Sequence, residues 1–316
     1  MANEKSIEKE TVLQLDKKEE ELKNKILHYY KVHKETFLIE LIKRADTGSL
    51  IKLALSDACI DQICKLPQLA EYWTNVWRLC GLNPREDAEK NNKPLHEYLP
   101  MPTVSSCFDL IKGYFLYENY RKLTSDACNK GQHLYLIENY LMDSAELGCY
   151  FAINELCSIG VNLLKEEFNE FIVVKMLHYA RLAAQIYLAP GYLLLANVYQ
   201  ELIPFQEQQV LQTVNLRLEA FKSINIAKRL ETISAPMINN AYQGQNLADA
   251  SGGKLRSFTQ AEQRLQNLLH LDYLELDLAI EHAKEEAQSI RKLYESSSLT
   301  EDPDNHITTF ISKTGA

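Results

Sequence analysis

The stretch YARLAAQIYLAPGYLLLANVY, residues 179–199, repeats in outline the residues that precede it. Tyr140, Ser144, Ala145, Ala152, Leu156 and Cys157 stand 39 positions before Tyr179, Ala183, Ala184, Gly191, Leu195 and Ala196. A spacing held at six positions is a repeat. Repetition constrains a fold strongly, because one unit cannot bury its own apolar face and must stack on the next. A period near 39 residues suits a helix, a turn and a second helix. Ala and Gly then fall where two helix axes come close, and Leu or Tyr fills the groove beside them.

The rest of the chain agrees with an all-α fold. Only 11 Gly and 9 Pro occur in 316 residues, 46% of them hydrophobic, and runs that suit strands are few. Residues 7–45 carry Leu15, Leu22, Ile26, Tyr29, Tyr30, Phe37, Leu38, Leu41 and Ile42 at three- and four-residue spacings. This predicts one long or two consecutive amphipathic helices. ADTGSL breaks the pattern, and short helices follow to KLPQLAEYWTNVWRLCGLNP, where Pro67 fits a first turn, Gly81 a stop, and Trp73 and Trp77 one face. Residues 82–102 hold four prolines, adjacent asparagines and several charges, the composition of a linker.

The expected organisation is therefore an N-terminal helical subdomain (1–82), a linker (83–102), a helical-repeat domain (103–295) and a disordered tail (296–316). Helices are expected over 104–122, 131–147, 149–159, 167–188, 191–202, 205–234 and 257–295, with breakers such as SIG, IP and AYQGQNLADASGGKL between them. Short connections make sequential helices antiparallel neighbours.

A net charge of -9 with no cluster of Lys and Arg argues against nucleic acid as a partner. The N-terminal residues are charged throughout and lack the apolar core of a secretory signal. Apolar runs such as YLLLA fall far short of the roughly 20 residues of a membrane span. Seven cysteines form an odd set without a C-x-x-C, which points to reduced thiols in a cytosol.

Three resemblances bear on function. Ala183-Ala184, Gly191, Leu195-Ala196 and Tyr199 resemble the Sel1-like subclass of tetratricopeptide repeats over about 70 residues, although the period is longer than usual and Gly160 stands near the position of Tyr199 in the preceding copy. The resemblance implies a superhelical protein-binding surface with Tyr140, Tyr179 and Tyr199 as candidate contact residues. Residues 38–82 look weakly like an F-box, with Trp77, Leu79 and Cys80 matching its ending and FLIELIKRA replacing its usual Leu-Pro opening. That implies a ubiquitin-ligase adaptor as a partner. The C-terminus is similar to translocation signals of Dot/Icm type IVB effectors of intracellular bacteria, with Glu281, Glu285 and Glu286 as its acidic cluster and Phe310 and Ile311 as its terminal apolar pair.

Catalytic motifs are absent from the sequence. ADASGGKL lacks the first Gly and the final hydroxyl of a phosphate loop, with Ala248 and Leu255 in those places. His282 and Glu286 share a helix face without an HExxH, and no metal ligand set or cofactor is expected. Cys149, His178 and Asp143 supply the residue types of a nucleophile, base and orienting carboxylate, but spacing alone does not bring them together. The expectation is a non-enzymatic scaffold, secreted from a bacterial cytoplasm into a host cytosol, that binds a host protein. The alternatives are an enzyme with an unrecognised helical site or an adaptor that stays in the bacterium.

Overall fold

A computed structural model describes residues 2–32, 36–79, 106–126, 130–243 and 273–299, and among them every regular element is a helix. The order is α1 (Ala2–Val32), α2 (Thr36–Arg44), α3 (Thr47–Ser56), α4 (Ala58–Cys64), a 3-10 turn (Pro67–Leu69), α5 (Ala70–Leu79) and α6 (Cys107–Asp126). Next, α7 (Lys130–Leu136) runs through a π-turn (Ile137–Leu141) into α8 (Met142–Glu146), followed by α9 (Tyr150–Glu166), α10 (Glu170–Tyr187) and α11 (Ala189–Leu202). Two 3-10 turns (Ile203–Phe205 and Gln209–Leu211) lead to α12 (Leu216–Gln243), and α13 is Tyr273–Leu299.

Local chemistry sets the boundaries. ADTGSL is a break because Asp46 caps α3, its carboxylate accepting from the Ser49 N–H at 2.8 Å. Asp57 caps α4 in the same way and pairs with Lys23 of α1 at 3.0 Å. The expected stop near SIG does not occur. Gly160 continues α9 because a Cβ there would press on the side chain of Met176 from α10, so this glycine serves packing instead of termination. The helix expected from 205 starts at Leu216, because the Gln206 side chain stabilises the preceding turns. Its amide donates to the Leu211 and Val214 carbonyls at 2.8 Å each, and its oxygen accepts from the Leu216 N–H at 3.3 Å.

The repeat has a physical basis. Ser144 and Ala183, Ala145 and Ala184, Ala152 and Gly191, and Cys157 and Ala196 are buried in both copies. At Gly191 the helices touch backbone to backbone, and a Cβ would collide with the main chain of Ala183 and Ala184. Leu188 alone joins α10 to α11, and its φ of 53° is the one positive φ of a non-glycine among the described residues. Such a conformation costs roughly 1–3 kcal/mol, so the packing on either side must hold it. The two turns are bonded to each other: Tyr187 Oη donates to the Gly148 carbonyl at 2.7 Å, and Tyr150 Oη to the Pro190 carbonyl at 3.4 Å.

Packing also crosses the 83–102 segment. Trp73 of α5 lies on Phe108 of α6 with centroids 4.5 Å apart, Trp77 on Tyr114 at 5.3 Å, and Tyr114 on Phe151 of α9 at 5.5 Å. Two lysines and two aspartates reinforce this junction. Lys112 is 5% exposed and pairs with Asp61, while Lys65–Asp61, Lys65–Asp109 and Lys112–Asp109 measure 2.9, 3.0 and 3.0 Å. Buried side chains from α1 to α13 form a single apolar cluster, so the N-terminal helices and the hairpins share one core.

Candidate interaction surface

Helix α10 buries Val173, Met176, Ala180, Ala183, Ala184 and Tyr187, a three-and-four spacing that turns the opposite stripe outward. On that stripe lie Phe171, Val174, His178, Arg181 and Gln185. Phe171 and Val174 are 65% and 54% exposed, large values for apolar side chains on adjacent turns. Asn169 fixes the start of the helix by accepting from the Phe171 N–H at 2.9 Å.

Glu146, at the end of α8, organises the polar edge of this surface. It accepts from Tyr179 Oη at 3.0 Å and lies 3.7 Å from both Lys175 Nζ and His178 Nε2. Lys175 also sits over the rings of Phe171 and Tyr179, 6.0 and 5.7 Å from their centroids. Burial, reinforced by the Glu146 carboxylate, pushes the Tyr179 hydroxyl well above its usual value, so it remains a donor. The arrangement offers apolar contact beside a mixed-charge rim.

A second polar cluster joins α11, α12 and α13. Glu286 accepts from Tyr192 Oη at 2.9 Å and pairs with Lys222 at 2.9 Å. Burial would lower the Lys222 value, but the hydrogen bond and charge of Glu286, with the charge of Glu219, together outweigh it and the net shift is upward. Burial and Glu286 together raise the Tyr192 hydroxyl. Nearby, Arg181 donates to Tyr199 Oη at 3.5 Å.

The candidate contact tyrosines are placed unevenly. Tyr140 is half-buried against the core, whereas Tyr179 and Tyr199 are 3% and 4% exposed. For those two the expected ring contact with a partner is corrected, because both rings are spent on packing and only their hydroxyls reach the polar edges. Glu281 and Glu285 are exposed, and Glu281 pairs with Lys284 at 3.4 Å. Glu286 departs from that acidic cluster, since Tyr192 and Lys222 occupy its carboxylate. Phe310, Ile311, ADASGGKL and the 83–102 linker lie outside the described residues. So does most of the 296–316 tail, of which 296–299 continue α13. Of the F-box-like residues, Trp77 is buried, Leu79 is 80% exposed, and Cys80 is outside the described residues.

The residue types for nucleophilic catalysis do not assemble. Cys149 is fully buried, and burial pushes its thiol up to about 12, while Asp143 is exposed and His178 faces Glu146. Among the described residues, no three His, Cys, Asp or Glu side chains lie close enough together to hold a metal ion. No helix among them is long and apolar enough to cross a membrane. Glu146, Tyr192 and Lys222 were not singled out in the sequence. Tyr192 could have been, since it lies seven residues before Tyr199 and so on the same face of α11.

These features define an all-α protein of packed helical hairpins. The chain belongs to the family of unknown function DUF5630, which it matches over residues 38–265. No curated protein matches it in sequence. In fold it is similar to the uncharacterised protein lpg1670, with a TM-score of 0.67 at 22% identity over 87% of this chain and 99% of that one. It is also similar to MesI (Lpg2505) from Legionella pneumophila, with a TM-score of 0.61 at 21% identity over 84% of this chain and 95% of that one. A second structure of Lpg2505, described as a Legionella pneumophila effector, matches with the same TM-score and identity over 84% and 94%.

Proposed function

We propose that this protein is a non-enzymatic interaction scaffold, secreted by a bacterium into a host cell, that binds a host protein through the outward stripe of α10 in a Sel1-like helical stack. The observation that carries the reading is the exposure of Phe171 and Val174 beside the Glu146, Lys175 and His178 rim, an apolar anchor with a charged border. The likeness in fold to an effector from Legionella pneumophila supports secretion. Glu281, Glu285, Phe310 and Ile311 are the proposed export signal, recognised in the bacterial cytoplasm before transfer. Recruitment of a ubiquitin-ligase adaptor is not part of the proposal, because Trp77 is committed to the core against Tyr114.

Two experiments test it. Affinity capture from host lysate should yield a stoichiometric partner that is lost in F171E/V174E with the helical circular dichroism unchanged. Retention of that partner by the double variant would remove α10 from the interface, and turnover of a substrate would replace the scaffold with an enzyme. Removing residues 300–316 should abolish translocation of a reporter fusion without altering the melting temperature, and normal translocation would defeat the export signal.

A further inference from the structure

Among the described residues, α13 meets α12 differently from the way α11 meets α10. Lys222 meets Glu286, and seven residues further along α12 the Arg229 carbonyl accepts from Arg291, five residues further along α13. Contacts that advance in the same sense on both helices make α12 and α13 parallel, whereas a short turn would make them antiparallel. In the sequence, 29 positions separate Gln243 from Tyr273. The face α13 turns inward is built largely of small side chains: Leu276, Ala279, Ala283 and Ala287 are buried, three of the four carry only a methyl group, and Ile280 and Ile290 pack half-buried beside them. Its polar contacts include the Glu286 carboxylate, held by Tyr192 of α11 and Lys222 of α12, and the Arg291 guanidinium on the Arg229 carbonyl. The family match ends at residue 265, before α13 begins.

We propose that α13 is a built-in occupant of a helix-docking groove on α11 and α12, and that the groove accepts in its place an acidic amphipathic helix of a partner with small residues at i, i+4 and i+8 and a carboxylate three positions beyond the central one. The chemistry of the partner is read from the present occupant. Ala279, Ala283 and Ala287 mark where the groove requires small side chains, and Glu286 marks where Lys222 and Tyr192 require an anion. A tethered helix competes at an effective concentration in the millimolar range, so an outside helix enters only when α13 is weakened or the partner binds better. The proposal deepens the scaffold reading by naming a partner class and rests on it only for biological use.

The test uses the full chain and a fluorescein-labelled peptide with the sequence of residues 273–299. Glu286→Ala in the chain should release α13, seen as faster amide exchange in 273–299 with 170–202 unchanged. The same variant should bind the peptide at least about tenfold more tightly than wild type, because the internal competitor is impaired. The charge swap E286K/K222E should restore slow exchange and weak peptide binding, which separates loss of the clasp from loss of folding. Unchanged peptide affinity in Glu286→Ala, or exchange that accelerates across the whole molecule, would overturn the proposal and leave the α10 surface to be judged by its own partner capture.

Discussion

The α10–α11 hairpin and the α12–α13 pair are two ways of holding helices together. In the first, one residue connects the helices, the backbones touch at Gly191, and reciprocal bonds join the turn to the preceding one. Separation there means unfolding. In the second, the helices run parallel, meet through Leu276, three alanines and the half-buried Ile280 and Ile290, and are tied by the Glu286 clasp and the Arg291 bond to the Arg229 carbonyl. Burial contributes roughly 25 cal/mol per Å² of apolar area, so an alanine stripe holds its neighbour far more weakly than leucines or aromatics would. The first joint is suited to rigidity and the second to exchange.

The sharpest way to break this comparison is at Gly191. Gly191→Ala places a Cβ against backbone that cannot move aside, and unfolding in urea should show a loss of at least about 3 kcal/mol. Gly160→Ala meets side chains, those of Met176 and Ile172, and no backbone, and it gains helix propensity, so it should stay within about 1 kcal/mol of wild type. Equal costs at the two glycines would refute the claim that Gly191 marks a backbone contact.

A smaller loss is expected at the junction between α4 and α6. Lys112→Met leaves Asp61 and Asp109 with Lys65 as their remaining cation, and because both carboxylates are partly exposed the expected cost is about 2 kcal/mol. Tyr187→Phe removes the donor to the Gly148 carbonyl in the interior and should cost about 1–2 kcal/mol by the same denaturation measurement. A neutral Tyr187→Phe would mean the turn-to-turn bond is dispensable.

The mildest effect is on pH dependence. Burial opposes ionisation of Asp61, but its bonds to Lys112 and Lys65 prevail and its value falls below the usual 3.8. Its contribution is therefore fully present above the unfolded value and is lost as pH falls through the lowered folded value. Thermal melts below about pH 4 should drop less steeply in Asp61→Asn than in wild type. Lys65 is raised, so its contribution persists at neutral pH and disappears only as pH rises through its folded value above 10.5.

The sequence revealed the hairpins because backbone approach leaves a mark at fixed spacing: where two helices touch, only Ser, Ala, Cys or Gly fits, as at Ser144, Ala183, Cys157 and Gly191. Breakers misled where a residue serves packing. Gly160 resembled a stop but accommodates Met176, and the 3-10 turns held by Gln206 had no periodicity to find. The polar clusters were invisible for a different reason. Tyr192 and Glu286 lie 94 residues apart, and Lys112 and Asp61 lie 51 apart, so nothing local marks them as partners. Tyr179 and Tyr199 were visible as repeat positions, but the repeat calls for rings there to fill grooves, which is why they are buried.

The most direct measurement is amide hydrogen exchange in the unmodified protein, comparing residues 273–299 with residues 170–202. Sub-global opening of α13 should make its slowest amides exchange at least about 100-fold faster than the slowest in α10 and α11. Equal protection in the two regions would show that α13 unfolds only with the core and would contradict the distinction between a locked hairpin and a docked helix.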